Sequence, residues 1–371
     1  MEHEGPFEAA RPTAWSGLQR FLGSLQAPGL AVLGAILVGA VIILATGQNP
    51  LSAYWAMLQG AFAGKGLVNL ASTLNRAIPI VGMGLAAAIS IKSGFFNIGG
   101  EGQMVLGGIT AALAAIYLPL PAPVLLPVVL LLAALAGGLY ALLAMFCEFR
   151  FNVPLLISTL ILNYPARYLA SYLVTSPFRD VPSGMNESLL VPEGVQFATL
   201  VPGSQLNTGS FLILILIVLS AVVIYRTVPG YNLRMAGSNR RFAIYGGVDI
   251  MKVGYRVMFA SGAVAGLVGA ILVLGVLYRY VDDALTSPLY AWVGIMAALL
   301  SGSDPLGVAL AGFVFSAIQT GGYGMERDTN IPRELSLVLQ ALIIMFIAVR
   351  GSFQFRRKAR KVRKAQKVGK P

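Results

Sequence analysis

One cysteine and one histidine are all that 371 residues supply of either. Cys147 alone excludes an internal disulfide and any cysteine-clustered metal site. His3 lies in a polar N-terminal arm, so no histidine proton relay and no Ser-His-Asp triad can be assembled. Charge is scarce as well: 11% of residues are Asp, Glu, Lys or Arg, against about 25% in soluble domains. A soluble fold that is 57% hydrophobic lacks the polar residues to cover its surface. Also missing are G-x-x-x-x-G-K-[ST], H-E-x-x-H and any paired-acid constellation in a soluble stretch. The chain therefore has no Walker-type loop to cradle ATP phosphates, no catalytic residue and no metal ligand set. An energy-coupled transporter built on it needs its ATPase on another polypeptide.

What it has in quantity is apolar sequence. Leu30 to Thr46 and Phe211 to Tyr225 carry no charge, and about 20 apolar residues span a bilayer core. The 42 glycines and 20 prolines suit membrane helices, which tolerate both. Hydropathy predicts an all-α polytopic membrane protein of about ten transmembrane helices. They fall near 29–47, 70–91, 99–117, 123–146, 154–174, 209–228, 257–278, 288–301, 305–322 and 333–350. The segment 51–64, with Tyr54, Trp55 and Phe62, reads as interfacial. Acids and Pro precede the first apolar run, which is long enough to span, so the N-terminus does not read as a secretory signal.

Charge placement orients the chain. With both termini cytoplasmic, 20 Lys or Arg fall on the inner side and five on the outer, Arg76 and Arg167 remaining in the membrane; cytoplasmic loops carry such an excess. Ten of the 20 lie between Arg350 and Lys370, with no acid among them. A tail of that kind touches anionic lipid, and without a folded basic surface or interleaved aromatics it does not read as a nucleic-acid site. The organisation is thus a cytoplasmic arm (1–27), a membrane domain (28–350) and a basic tail (351–371).

Two loops stand out. The external one, about 175–208, is rich in Pro, Gly and Ser and long enough to meet a partner outside. The cytoplasmic one, about 226–257, holds GSNRRFAIYGGVDIMKVGYR, read as a short helix between glycines on which a cytoplasmic protein docks. A weak internal repeat relates PIVGMGLAAAISIKSG (79–94) to PLYAWVGIMAALLSGS (288–303); repeats often place a transport path at their interface.

Ionisable residues inside a membrane are functional candidates by default. Glu101 opens a helix in GFFNIGGEGQMVLGG, where it either favours the positive helix end or lines a polar recess with Asn97 and Gln103. Arg167 lies in STLILNYPARYLASYL, where Pro165 disturbs the helical bonding and brings Asn163, Tyr164, Arg167 and Tyr168 into play. Arg167 either serves the path or snorkels or pairs with Glu101. Arg76 is expected to snorkel to the outer face. Asn163 and Gln103 offer paired donors and acceptors to a base or ribose.

These segments carry a resemblance. GFFNIGGEGQMVLGG (94–108), STLILNY (158–164) and LRMAGSNRRFAIYGGVDIMKVGYRVMFASGAVAGLVGAI (233–271) resemble permease subunits of the branched-chain amino acid and simple-sugar class of ABC importers. FNIGGEGQ is most similar to the nucleoside (guanosine-type) subgroup, and the resemblance covers roughly 28–350. Pro165 departs from the small or apolar residue expected after LNY, and Val248 from the usual Ile.

The resemblance implies a permease of the cell inner membrane that passes a nucleoside, with a purine expected. Its implied partners are a second permease chain, identical or homologous, a cytoplasmic ABC ATPase that holds ATP and Mg, and an external substrate-binding lipoprotein. It also implies that Gly237, Asn239, Arg240, Gly246 and Gly247 belong to the ATPase-coupling stretch, and that Asn97, Gly99, Glu101 and Gln103 lie near the path. The alternatives are a simple sugar such as a pentose as cargo, or an ion-coupled secondary transporter. A lipid-acting enzyme finds no nucleophile–base pair in the sequence.

Overall fold

Apolar runs punctuated by Gly and Pro fold as helices throughout the computed structural model, which describes residues 33–63, 67–343 and 345–346. The arm 1–27 and the tail 351–371 lie outside the described residues. The chain divides into two compact units, one running to Leu51 and from Glu334 on, the other Ser52–Arg333. In the first, α1 (Leu33–Ala45) brings Gly34 against the ring of Phe346, and a helical stretch covers 335–343.

The second unit is a helix bundle. After α2 (Pro50–Phe62) come α3 (Val68–Lys92), α4 (Gly100–Tyr117), α5 (Ala122–Phe151) and α6 (Leu155–Thr175). Then follow α7 (Ser210–Arg226), α8 (Val228–Ser238), α9 (Arg240–Tyr245), α10 (Ile250–Leu272), α11 (Tyr290–Leu300) and α12 (Pro305–Asp328). Among the described residues there is no strand, only isolated bridges Glu187–Val281 and Thr199–Asn207. Among the described residues, four helices can cross a membrane by length and composition, or up to six if each of two bent pairs counts as one span. One such pair is α7 with α8, bent by 74°.

The bundle is held by backbone contact. A Cβ at Gly266 of α10 would stand 2.2 Å from the carbonyl oxygen of Ala133 in α5, and one at Gly107 of α4 would stand 2.3 Å from Gly266 itself. In a bilayer, where apolar side chains gain nothing over lipid, such small-residue seams let helices approach and pack.

Several boundaries differ from hydropathy. Helix α5 extends to Phe151 and α10 starts at Ile250, because amphipathic turns such as CEFRF and IMKVGYR continue a helix after its apolar run ends. The carboxylate of Asp249 caps α10 by accepting from the amide of Lys252 at 3.0 Å. That bond holds its pKa below the ordinary value, so its contribution is present above the usual carboxylate range and fades as pH falls through the lowered value.

The expected span 288–301 is α11, of 11 residues, or about 16 Å, half a bilayer core. The chain reaches α11 through an irregular segment, 278–289, with Tyr278, Asp283 and Leu289 in the left-handed region (φ 56°, 56° and 57°). Side chains there cost about 1–2 kcal/mol each, strain that clusters at functional sites. A second irregular stretch, 93–99, precedes α4. Helix α6 runs on through Pro165, which removes one amide without interrupting the helix.

The 175–208 loop is bonded to the end of α10. Five π-helical residues, Val273–Leu277, close that helix. Leu274 O accepts from Phe197 N at 2.9 Å, and Gly275 O from Asn207 Nδ2 at 3.0 Å. Tyr278 O and Tyr280 O accept from the amides of Val191 and Ser188. Arg279 pairs with Glu187 and, at 3.6 Å, with Asp180. Arg279→Ala leaves both acids without their cation, and limited proteolysis is expected to cut within 178–190 several-fold faster than in wild type; an unchanged rate means that the backbone bonds alone hold the loop.

Candidate functional site

The two irregular segments converge beside the middle of α6. Glu101 stands in the first turn of α4, and its Oε1 lies 3.8 Å from Nη1 of Arg167. Arg167 Nη2 donates to Asp283 Oδ1 at 2.8 Å. Thr286 donates to the same oxygen at 3.1 Å, and one turn along α6 Ser171 donates to Asp282 at 2.7 Å. Arg167 is the thirteenth residue of the 21 in α6, about 18 Å from its start at 1.5 Å per residue. Glu101, Arg167, Asp283 and Thr286, with Asn163, Tyr164, Leu289 and Trp292, line a cavity of about 300 Å³.

The N-termini of α4 and of the half-length α11 both border this cavity. Short or broken helices whose positive ends face a polar cavity recur in transporters. Turn and loop hydrogen bonds pair the amides of Asp282, Ala284, Thr286, Ser287 and Leu289, and Asp283, Thr286, Ser287 and Leu289 line the cavity, the kind of place where irregular backbone is tolerated within a membrane. A site so built offers a cation between two carboxylates, an indole and a phenol ring, and two helix ends.

Of the residues predicted from sequence, Glu101, Asn163, Tyr164 and Arg167 meet around the cavity. Asn97 and Gln103 lie behind it, 4% and 2% exposed. Asn97 Nδ2 donates to Gln103 Oε1 and to Ser261 Oγ, both at 2.9 Å, while its Oδ1 accepts from Gly99 N at 2.9 Å and Gln103 Nε2 at 3.1 Å. Asn163 Oδ1 accepts from Gly102 N at 2.8 Å, and its Nδ2 donates to Ile98 O at 3.2 Å. These amides satisfy the backbone of 97–103 where no regular structure does so. Tyr168 lies outside the lining and is mostly exposed.

Sequence reasoning missed Asp283 and Trp292. Asp283 falls between the expected spans 257–278 and 288–301, and nothing in its neighbourhood signals a partner 116 residues away. Arg76 does not simply snorkel: it reaches α12, donating to Gln319 Oε1 at 3.5 Å and Tyr323 Oη at 3.3 Å, with its guanidinium 4.9 Å from the Tyr323 ring centre. A polarisable ring and neutral acceptors within reach offset what the arginine loses on leaving water.

The second candidate surface is α8–α9, at the end where α3 stops. A Cβ at Gly237 would stand 2.1 Å from Lys92 O, so α8 rests directly on the end of α3. Lys92 Nζ donates to Tyr225 Oη at 2.9 Å and to Ser303 O at 3.1 Å, and Tyr225 donates to Asp304 at 2.6 Å, tying α3, α7 and the start of α12. Lys92 thereby joins the last turns of the two repeat-like segments. Asn239 caps α9 by accepting from Phe242 N at 3.0 Å, and the Arg240 guanidinium lies 5.4 Å from the Phe95 ring centre. Gly246 and Gly247 make the turn into α10, Gly247 at φ 79°. This is the short helix between glycines that the sequence predicts, and its Phe242, Ile244 and Tyr245 side chains are exposed, Tyr245 to 88%.

The chain is 30% identical over 338 residues to the guanosine ABC transporter permease protein NupP of Bacillus subtilis, covering 90% of this chain and 96% of that one. It is 31% identical to the glucose ABC transporter permease protein TsgB13 of Haloferax volcanii, covering 88% of each. With the nucleoside ABC transporter permease protein NupB of Lactococcus lactis it shares 28% identity, over 87% of this chain and 90% of that one. No solved structure is significantly similar. The family model described as "Branched-chain amino acid transport system / permease component" matches residues 69–348. Multi-pass, all-helical and without a nucleotide loop of its own, the chain belongs to that family of ABC transporter permeases.

Proposed function

We propose that this chain is the membrane-spanning subunit of an ABC importer that admits a purine nucleoside, and that the Glu101–Arg167–Asp283 cavity is the mid-membrane station of its path. The observation that carries the reading is the meeting of two irregular segments on an ion-paired cavity, in a chain alike over nearly its whole length to guanosine and nucleoside permeases. Arg167 and the carboxylates supply fixed donors and acceptors for a polar ring and its sugar. Tyr164 and Trp292 supply faces on which a flat base stacks. Glu101 and Asp283 hold the guanidinium in place between them.

On this reading the chain crosses the membrane about ten times, 282–289 and α11 together making one crossing. Both termini lie in the cytoplasm, as the positive-inside rule favours. A separate ATPase, which carries ATP and Mg, docks on α8–α9, a second permease completes the path, and an external binding lipoprotein delivers cargo near 175–208. ATP binding shifts the permease between outward- and inward-open states through contacts that differ between the two.

The test is ATP hydrolysis by the assembled transporter, purified through a tag on this chain and reconstituted in lipid. Guanosine-loaded binding protein is expected to stimulate hydrolysis several-fold, and glucose or a pentose to leave it at the basal rate. Stimulation by sugar alone, or uphill transport by the lone chain, overturns the reading.

Coupling has its own test. Phe242→Asp with Tyr245→Asp places two charges on an exposed apolar face and changes stability little. The ATPase is expected to be lost from the purified complex while the permease stays monodisperse. Undiminished co-purification places the docking surface elsewhere.

A further inference from the structure

A second cavity lies toward the end of the bundle that carries the 175–208 loop. It measures about 570 Å³ and is mainly polar in its lining. Asn75, Arg76, Gln205, Tyr290, Thr320 and Arg327 give its chemistry. No carboxylate is among its lining residues. Arg327 is already forked onto Asp328 at 2.7 and 3.0 Å. Arg76 is held by neutral groups, and no described carboxylate is within ion-pair distance of it. Asn75 Oδ1 and Thr320 Oγ1 are buried and have no hydrogen-bond partner among the described residues.

A membrane-helix arginine without an acid is costly to keep, and orphaned buried polar atoms call for an explanation. All three are accounted for by a ligand that presents two adjacent acceptors to the guanidinium and, once the buried oxygens of Asn75 and Thr320 turn into the cavity, hydroxyl donors to both. A 6-oxopurine nucleoside does both: O6 and N7 accept a bidentate arginine, and the ribose hydroxyls donate. Leu272, Val276 and Tyr290 give the base an apolar wall. Adenine places an amino donor where the oxo group stands, and that donor would face the guanidinium.

We infer that this cavity is an outer station, distinct from the mid-membrane one, at which Arg76 selects 6-oxopurine nucleosides over adenosine. The first turn of α11 stands between the two: Tyr290 lines the outer cavity, and Leu289 and Trp292 the inner. The inference rests on the nucleoside reading and deepens it.

The test is competition binding of radiolabelled guanosine to the purified permease–ATPase assembly without its binding protein, whose own selectivity then does not enter. Guanosine and inosine are expected to compete about tenfold to a hundredfold better than adenosine, the discrimination of a bidentate arginine. Arg76→Gln is expected to remove that preference, weakening guanosine and inosine about tenfold or more and leaving adenosine within about twofold. Arg76→Lys keeps the charge and loses the fork, and is expected to lose the preference too while guarding against misfolding of the glutamine variant.

Preference retained by the lysine variant, an equal loss for all three nucleosides, or displacement of guanosine by millimolar inorganic phosphate each overturns the inference. Nucleoside-stimulated ATP hydrolysis in the complete transporter is a separate readout. If it persists while Arg76 proves indifferent, the outer station falls and the transport reading stands.

Discussion

Arg167→Gln is expected to cut guanosine uptake in proteoliposomes about a hundredfold, with the amount of assembled complex unchanged. Among the described residues the guanidinium is the only cation between Glu101 and Asp283, at 3.8 and 2.8 Å. Removing it leaves two carboxylates facing one cavity without a counter-charge. A charge-assisted hydrogen bond from the guanidinium to cargo is worth about 1.5–3 kcal/mol, and 2.7 kcal/mol is about a hundredfold.

Two controls separate path from scaffold. Arg167→Gln with Asp283→Asn removes one of the two uncompensated acids and the repulsion between them, and is expected to restore part of the thermal stability without restoring uptake. Tyr168→Phe, on a side chain outside the lining, is expected to be neutral. Wild-type uptake by the single variant would remove the triad from the path.

Gly266→Val is expected to abolish recovery of monodisperse protein. Its new Cβ would stand 2.2 Å from Ala133 O, on a helix where Gly107 of α4 and Gly137 of α5 approach from two sides. No rotamer relieves a clash between a Cβ and a backbone oxygen. Relief requires helices to part along a seam that also joins the amide-locked turn before α4. Overpacking a core costs about 1–3 kcal/mol where side chains can shift, and more where they cannot. Gly247→Ala is the contrast: it meets open space and only a left-handed φ of 79°, so it is expected to cost about 1 kcal/mol and to leave the yield near wild type. Equal yields for the two variants would mean that the seam yields more easily than its geometry implies.

The sequence made the membrane, the helices and the short α9 legible because each rests on local information. Apolar runs of Leu and Ile need no partner to be recognised, and RRFAIY between glycines announces its own limits. FNIGGEGQ carried the family because a run of that kind rarely arises by chance. What stayed hidden depends on distant pairings. The Leu289–Leu300 segment has the same hydropathy whether it crosses half a membrane or all of it. Asn97, Gln103 and Asn163 look like cargo-binding amides in the sequence, and only the fold shows Asn97 and Asn163 bonded to the backbone of 98–102 and Gln103 bonded to Asn97. Asp283 became a site residue once α6 brought Arg167 to it.

One helix gives the bundle a consequence for signalling. The far turns of α10 are sewn to residues 188–207, and its near end begins at Asp249, directly after the turn that follows α9. Under the proposed orientation it is a single strut with the delivery protein at one tip and the motor's foothold at the other. Whatever favours one posture of the strut is felt equally by both visitors. The arrival of a loaded carrier and the grip of the nucleotide engine then trade free energy reciprocally, through a rod whose widened π turn gives it slack beneath the carrier.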